Sequence, residues 1–202
     1  MSAAPGFTSG STASGSTVQT SEVSICNKAL RYLGAPEIVA LDQPSREADL
    51  CSRYYAEARD ELLEHHHWNF ATRYTSLAPL AAVPPFGFAC AYRLPGDCLR
   101  VRRLRGEPPF EVVEARTLYT DAAPAEAVLT VRVTDPARFP ALFVEALARR
   151  LAAALAVPLM NSSRTEQAML QRFGDALEAA RVADAAEGAS DPVEINPWLL
   201  AR

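Results

Sequence analysis

The chain has no run of about 20 uninterrupted apolar residues, the length a membrane-spanning helix needs. Its longest apolar segment, from Ala141 to Met160, is interrupted by Glu145, Arg149, Arg150 and Pro158, so no membrane partner is expected. The opening stretch MSAAPGFTSGSTASGSTVQT has neither a basic region nor an apolar core and does not read as a secretory signal. Cysteine is scarce and scattered: Cys26, Cys51, Cys90 and Cys98 form no C-x-x-C pair, and a chain of 202 residues does not need disulfide staples. The four read as buried, reduced thiols of a protein made in a cytoplasm. Histidine occurs only at His65, His66 and His67. No G-x-S-x-G, Walker or G-x-G-x-x-G motif is present, which leaves nucleophilic, phosphate-cradling and dinucleotide chemistry without a sequence basis. The 15 prolines and 9 glycines fall irregularly, against a collagen-like or coiled-coil rod. A net charge of -4 on a chain that is 49% hydrophobic argues against a disordered polymer, and against a protein whose whole surface grips nucleic acid.

Apolar periodicity supplies the positive signal. Residues 1–20 are Ser/Thr/Gly/Ala-rich without a period and are expected to form a flexible arm. A helix over 21–34 follows from the stripe Val23, Cys26, Leu30, Leu33 and the stop Gly34. A second over 45–67 has Cys51, Tyr54, Tyr55, Ala58 and Leu62 on one face, with Arg53, Glu57, Asp60, Glu61 and Glu64 facing water. The period then switches from 3.6 to 2, predicting a small, mostly antiparallel sheet over about 86–134, with strands near 86–94, 98–104, 110–114, 117–120 and 127–134. Helical spacing returns over 138–157, where Phe143, Leu147, Leu151 and Leu155 repeat and Pro158 is read as the stop, and again over 163–186. The expected fold is α+β, mainly α: a four-helix body over 21–187, with the sheet inserted between its second and third helices. A tail over 188–202 follows.

Several constellations of side chains are candidates for chemistry. Three consecutive histidines point in three directions on a helix, whereas zinc sites need ligands one turn apart, so the run reads as a helix end with imidazoles over its last carbonyls, and no metal is expected. Asp60-Glu61, Asp42 and Asp49 read as solvated charge. Arg93, Arg100, Arg102, Arg103 and Arg105 cluster around one hairpin, with Arg100 and Arg102 expected on a common strand face. They suggest charged contacts with a neighbouring subunit or with a channel. A DNA-binding module built on the Arg93–Arg105 hairpin is the alternative. No aromatic interleaves them in sequence, which counts against a single-strand stacking platform. Trp68, Phe70 and Leu94 read as core anchors, with Trp68 and Phe70 at the helix–sheet junction. Ile195, Trp198, Leu199 and Leu200 make the tail more apolar than an idle solvated end and mark it as a partner-binding segment.

Three segments together carry a resemblance: N-x-A-L-x-x-L-G from Asn27 to Gly34, R-D-E-L-L leading into W-N-F-A from Arg59 to Ala71, and L-P-x-D-C-L-R-V from Leu94 to Val101. In this order and spacing the chain, over about Ser21 to Glu187, resembles the tail tubular protein A family, the head–tail connector or adaptor proteins of short-tailed bacteriophages and prophages. The resemblance implies a structural virion protein, not an enzyme, with no cofactor. It would be made in the bacterial host cytoplasm and would sit at the head–tail junction. Such adaptors form a dodecameric ring under the portal protein and dock a tail nozzle protein of the tail tubular protein B type. Double-stranded DNA would pass through the channel without sequence-specific binding.

Overall fold

The computed structural model describes residues 20–81, 84 and 86–188. Almost all of the N-terminal arm and residues 189–202 of the tail lie outside them.

Helix α1 (Glu22–Leu33) starts where Ser21 and Ser24 cap one another's backbone N–H groups, and it stops at Gly34, whose φ of 69° is left-handed. Asn27 then holds the outgoing loop, donating to Ile38 O and accepting from Ile38 N, both at 2.8 Å. Helix α2 (Arg46–His65) is capped by the Ser45 side chain. Helices α3 (Ala141–Met160) and α4 (Ser163–Gly188) follow the sheets, with α4 packed along α3.

Helix α3 is the axis of the body, because α1, α2 and α4 all lie against it. Phe143, Ala146, Leu147, Ala148, Leu151, Ala152, Ala153, Leu155 and Ala156 are buried around most of its circumference. A helix apolar nearly all round belongs in an interior, and the alanines bring neighbouring backbones close. Its half-buried polar groups are paired: Glu145 accepts from Tyr32 Oη at 2.7 Å and Arg149 Nε at 2.7 Å, and Lys28 Nζ lies 2.5 Å away. Partial burial alone would raise the Glu145 carboxyl, but the bonds from Lys28 and Tyr32 and the charges of Lys28 and Arg149 hold it below the usual carboxylate range.

Pro158 does not stop α3. The helix continues to Met160 and ends at Asn161 in the left-handed region, φ 50°, with Asn161 N donating to Val157 O at 2.9 Å. Proline in the last turn forfeits one hydrogen bond without breaking the turn, and its own carbonyl is bound by the Arg46 guanidinium. Helix α4 likewise runs slightly past its expected end, to Gly188.

The insertion between α2 and α3 is β, but it begins earlier than the sequence pattern indicated. Its strands are β1 (Thr72–Ser76), β2 (Ala78–Pro79), β3 (Cys90–Arg93), β4 (Cys98–Leu104), β5 (Phe110–Val113), β6 (Thr117–Thr120) and β7 (Glu126–Val131). They form two antiparallel sheets, in the orders β1-β7-β4 and β2-β3-β6-β5. The start at Thr72 rather than near Phe86 has a plain cause. A single 3-10 turn, Asn69–Ala71, delivers Thr72 directly opposite Thr130, and this long-range pairing makes a strand of a segment that lacks apolar alternation. Phe86 itself is 85% exposed and precedes the strand. Leu77, Tyr92, Leu94, Leu104, Leu118, Ala127, Leu129 and Val131 form a core separate from that of the helices. Of the four thiols, Cys26 and Cys51 are buried, whereas Cys90 and Cys98 are only half-buried.

Candidate functional site

The end of α2 joins three parts of the molecule. Trp68 is 1% exposed, and its Nε1 donates to Leu62 O at 2.8 Å. The indole lies edge-on to Phe143, with ring centres 5.2 Å apart, while Phe70 packs half-buried between Trp68, Phe139 and Phe143. Asn69 N donates to the buried Asp184 carboxylate of α4 at 3.0 Å, and Asn69 Nδ2 donates to Asp184 O at 2.6 Å. Leu94 is buried too, but in the core between the sheets rather than at this corner.

Arg102 completes the corner. Its guanidinium donates to Glu64 O at 3.2 Å, to His66 O at 2.6 Å and to Thr130 Oγ1 at 2.6 Å. The terminal carbonyls of α2 are therefore met by Arg102 and Trp68, not by the histidine run. A cation in this position also complements the negative end of the helix. Sequence reasoning placed Arg102 among subunit or channel contacts; the structure turns it inward.

The cause is visible in the register of β4 on β7. The pairs are Cys98 with Val131, Arg100 with Thr130, Val101 with Leu129, Arg103 with Val128 and Leu104 with Ala127, with register shifts after Cys98 and after Val101. Leu99 and Arg102 are the extra residues at these irregularities. Leu99 packs against the helical core, and Arg102 reaches the end of α2. The expected common face of Arg100 and Arg102 gains Arg103, which pairs with Val128 beside Arg100 on Thr130, while Arg102 reaches across that face to Thr130 Oγ1 and on to the end of α2; Arg100 and Arg103 are exposed. Arg105 is held at 2.7 Å by Glu126. Arg93 is exposed on β3, in the other sheet.

The outer face of the three-stranded sheet can be laid out in rows. Thr72, Thr130 and Arg100 form the first, and Tyr74, Val128 and Arg103 the second. Ser76 and Glu126 begin the third, which Arg105 closes through its ion pair. The end of α2 borders the first row through Arg102. The others open into a groove of about 490 Å³ lined by Tyr74, Ser76, Arg103, Arg105, Glu126 and Val128. Tyr74 is 73% exposed. No aromatic interleaves the arginines in sequence, but pairing through β7 brings Tyr74 onto their face. The signal available in the sequence was weak, because nothing local marks Thr72–Ser76 as a strand.

His65 and His67 are exposed, while His66 is half-buried with Nε2 3.4 Å from Asp184 and its ring 4.8 Å from that of Trp68. Among the described residues no three His, Cys, Asp or Glu side chains converge as metal ligands would. Burial lowers the His66 pKa below its ordinary 6.5, with Arg181 and Arg102 in the same direction and Asp184 opposing them. A histidine that folds with a lowered pKa contributes stability that is fully present above its unfolded pKa of about 6.5 and is lost as pH falls toward the folded value. The chain is therefore expected to lose urea resistance between pH 7.5 and 5.5. His66→Gln, which retains a donor for Asp184 but does not titrate, should lose less over the same interval.

The carboxylates expected to be solvated charge are partly engaged. Asp60 bridges Arg59 at 2.8 Å and Arg132 at 2.7 Å, and Glu61 pairs with Arg150 of α3 at 2.6 Å, fastening α2 to the segment after β7 and to the central helix. Ile195, Trp198, Leu199 and Leu200 lie outside the described residues. No protein-family model matches the chain, and no curated protein matches it.

Proposed function

We propose that the chain is a structural head-to-tail adaptor of a short-tailed phage or prophage. In this reading it forms a ring, dodecameric by resemblance, beneath the portal protein, extends the DNA channel and docks the nozzle protein. The observation that carries the reading is the order and spacing of the three motif segments, from Asn27 to Val101. Their roles within the fold support it. Asn27 and Gly34 close the first helix, Trp68 and Asn69 tie α2 to α4, and the Asp97 carboxylate pairs with Arg73 at 2.8 Å while the Asp97 backbone carbonyl accepts from Arg132 N at 2.7 Å. Motifs spent on framework rather than on a reaction centre suit a non-enzymatic assembly protein.

The channel of such a ring has to let DNA slide, so its lumen should carry mixed or acidic charge. The tail, through Ile195, Trp198, Leu199 and Leu200, would hold the portal or a neighbouring subunit; burying Trp198 or Leu199 would contribute about 1.5–3 kcal/mol each. Repetition around a ring makes such contacts multivalent.

Electron microscopy of the full chain, alone and with purified portal protein, tests the proposal. Rings alone or on portal are expected; a chain that stays monomeric in both settings overturns it. Deleting residues 191–202 should leave the melting temperature unchanged and abolish ring or portal association. A destabilised monomer that still assembles would assign the tail to its own body instead.

A further inference from the structure

We infer that the Arg100/Arg103 face of the three-stranded sheet receives the acidic β5 edge of a second copy of this chain, in a head-to-tail contact. The inference rests on the ring reading and names the surfaces that would build the ring.

The receiving face combines an exposed tyrosine, an apolar floor at Val128 and two arginines. Among the described residues, Arg100 and Arg103 have no carboxylate within ion-pair distance, although Arg73, Arg105 and Arg132 nearby are all paired. Tyrosine and arginine around a small apolar centre is the composition that dominates protein–protein contacts. The chain as a whole is acidic, at -4, so a basic patch on it is complementary to other parts of the same molecule.

The partner surface lies in the other sheet. Strand β5 is its outer strand, paired only with β6 among the described residues. Glu107, Glu111 and Glu114 are exposed along β5 and its flanking turns, with no basic partner among the described residues. Val112, 42% exposed, follows Glu111 on the opposite face of this edge strand. The unpaired carboxylates of the edge match in sign the unpaired arginines beside Tyr74 and Val128.

Charge sign also determines the symmetry. An isologous contact through the receiving face would set Arg100 and Arg103 against their own copies, and the acidic edge would repel itself in the same way. Joining the two different surfaces removes both repulsions. A heterologous contact of this kind closes into a ring if the rotation permits.

The test uses the full chain, alone and with portal protein, followed by sedimentation velocity and electron microscopy. Arg100→Glu with Arg103→Glu, or Glu111→Lys with Glu114→Lys, should each weaken self-association at least tenfold. The chain carrying all four changes should regain it, because its charges are exchanged rather than removed. The milder pair Arg100→Gln with Arg103→Gln covers the case in which a reversal impairs folding, and should also weaken association. Rings that persist in both reversed variants overturn this interface while leaving the ring reading intact. Loss in both without recovery in the combined variant overturns it as well. A wild-type chain that never assembles removes the ring reading itself. If such a chain binds labelled duplex DNA in a salt-dependent way that the arginine variants lose, the face belongs to nucleic acid and the inference fails.

Discussion

Replacing Trp68 with alanine is expected to destabilise the chain by about 3–5 kcal/mol, the range for deleting a fully buried large aromatic. The indole sits at 1% exposure between Phe143 of α3 and His66 at the end of α2, so its removal leaves a cavity where the helical body meets the sheets. It also strips Leu62 O of its Nε1 donor. At roughly 2–4 °C per kcal/mol for a chain of this size, the melting temperature should fall by about 6–20 °C. Trp68→Phe separates the two contributions. It keeps most of the apolar contact but leaves Leu62 O without its indole donor, and an unmet buried polar group costs about 1–3 kcal/mol. Urea unfolding of the two variants beside the wild type measures both; tolerance of alanine equal to that of a surface site would remove Trp68 from the core.

Arg102→Ala is the second large effect expected, about 1.5–3 kcal/mol, because a charged donor to two helix-terminal carbonyls and one threonine hydroxyl disappears together. Arg102→Lys should recover only part of this. A lysine keeps the positive charge near the negative end of α2, but its compact ammonium cannot reproduce the planar fork that spans Glu64 O, His66 O and Thr130 Oγ1. Arg100→Ala on the same strand is exposed and without an intramolecular ion pair among the described residues, so it should shift stability by under about 0.5 kcal/mol. Denaturant midpoints for the three variants distinguish an arginine that builds the protomer from one left for a partner. Equal costs at positions 100 and 102 would contradict the bulge geometry.

Arg102 and Arg103 mark the limit of local sequence. Strict alternation over Cys98–Leu104 puts Arg100 and Arg102 on one face, but gives no reason for Arg103 to join them or for Arg102 to be drawn to the end of α2. The breaks at Leu99 and Arg102 follow from how β4 docks on β7 and on the end of α2, a fit among segments tens of residues apart. Asp184 illustrates the same limit. It is one acidic residue on a long helix, and only the packing of α4 brings it to the backbone of Asn69.

What the sequence determined by itself is what short-range physics governs. Ser21 and Ser45 start helices because a hydroxyl there meets an N–H a turn away, and Gly34 stops one because it adopts a left-handed φ at little cost. Apolar spacing identified all four helices, the β insertion between the second and third, and Leu151 and Leu155 as interior. The tertiary structure alone decided that Thr72–Ser76 is a strand, that Pro158 remains inside a helix, that Asp60 is a bridge, and that Tyr74 shares a face with Arg100 and Arg103. Each of these depends on partners remote in sequence. Local propensities differ by about 1 kcal/mol or less for most residues, so strand pairing, an ion pair or a buried contact readily outweighs them.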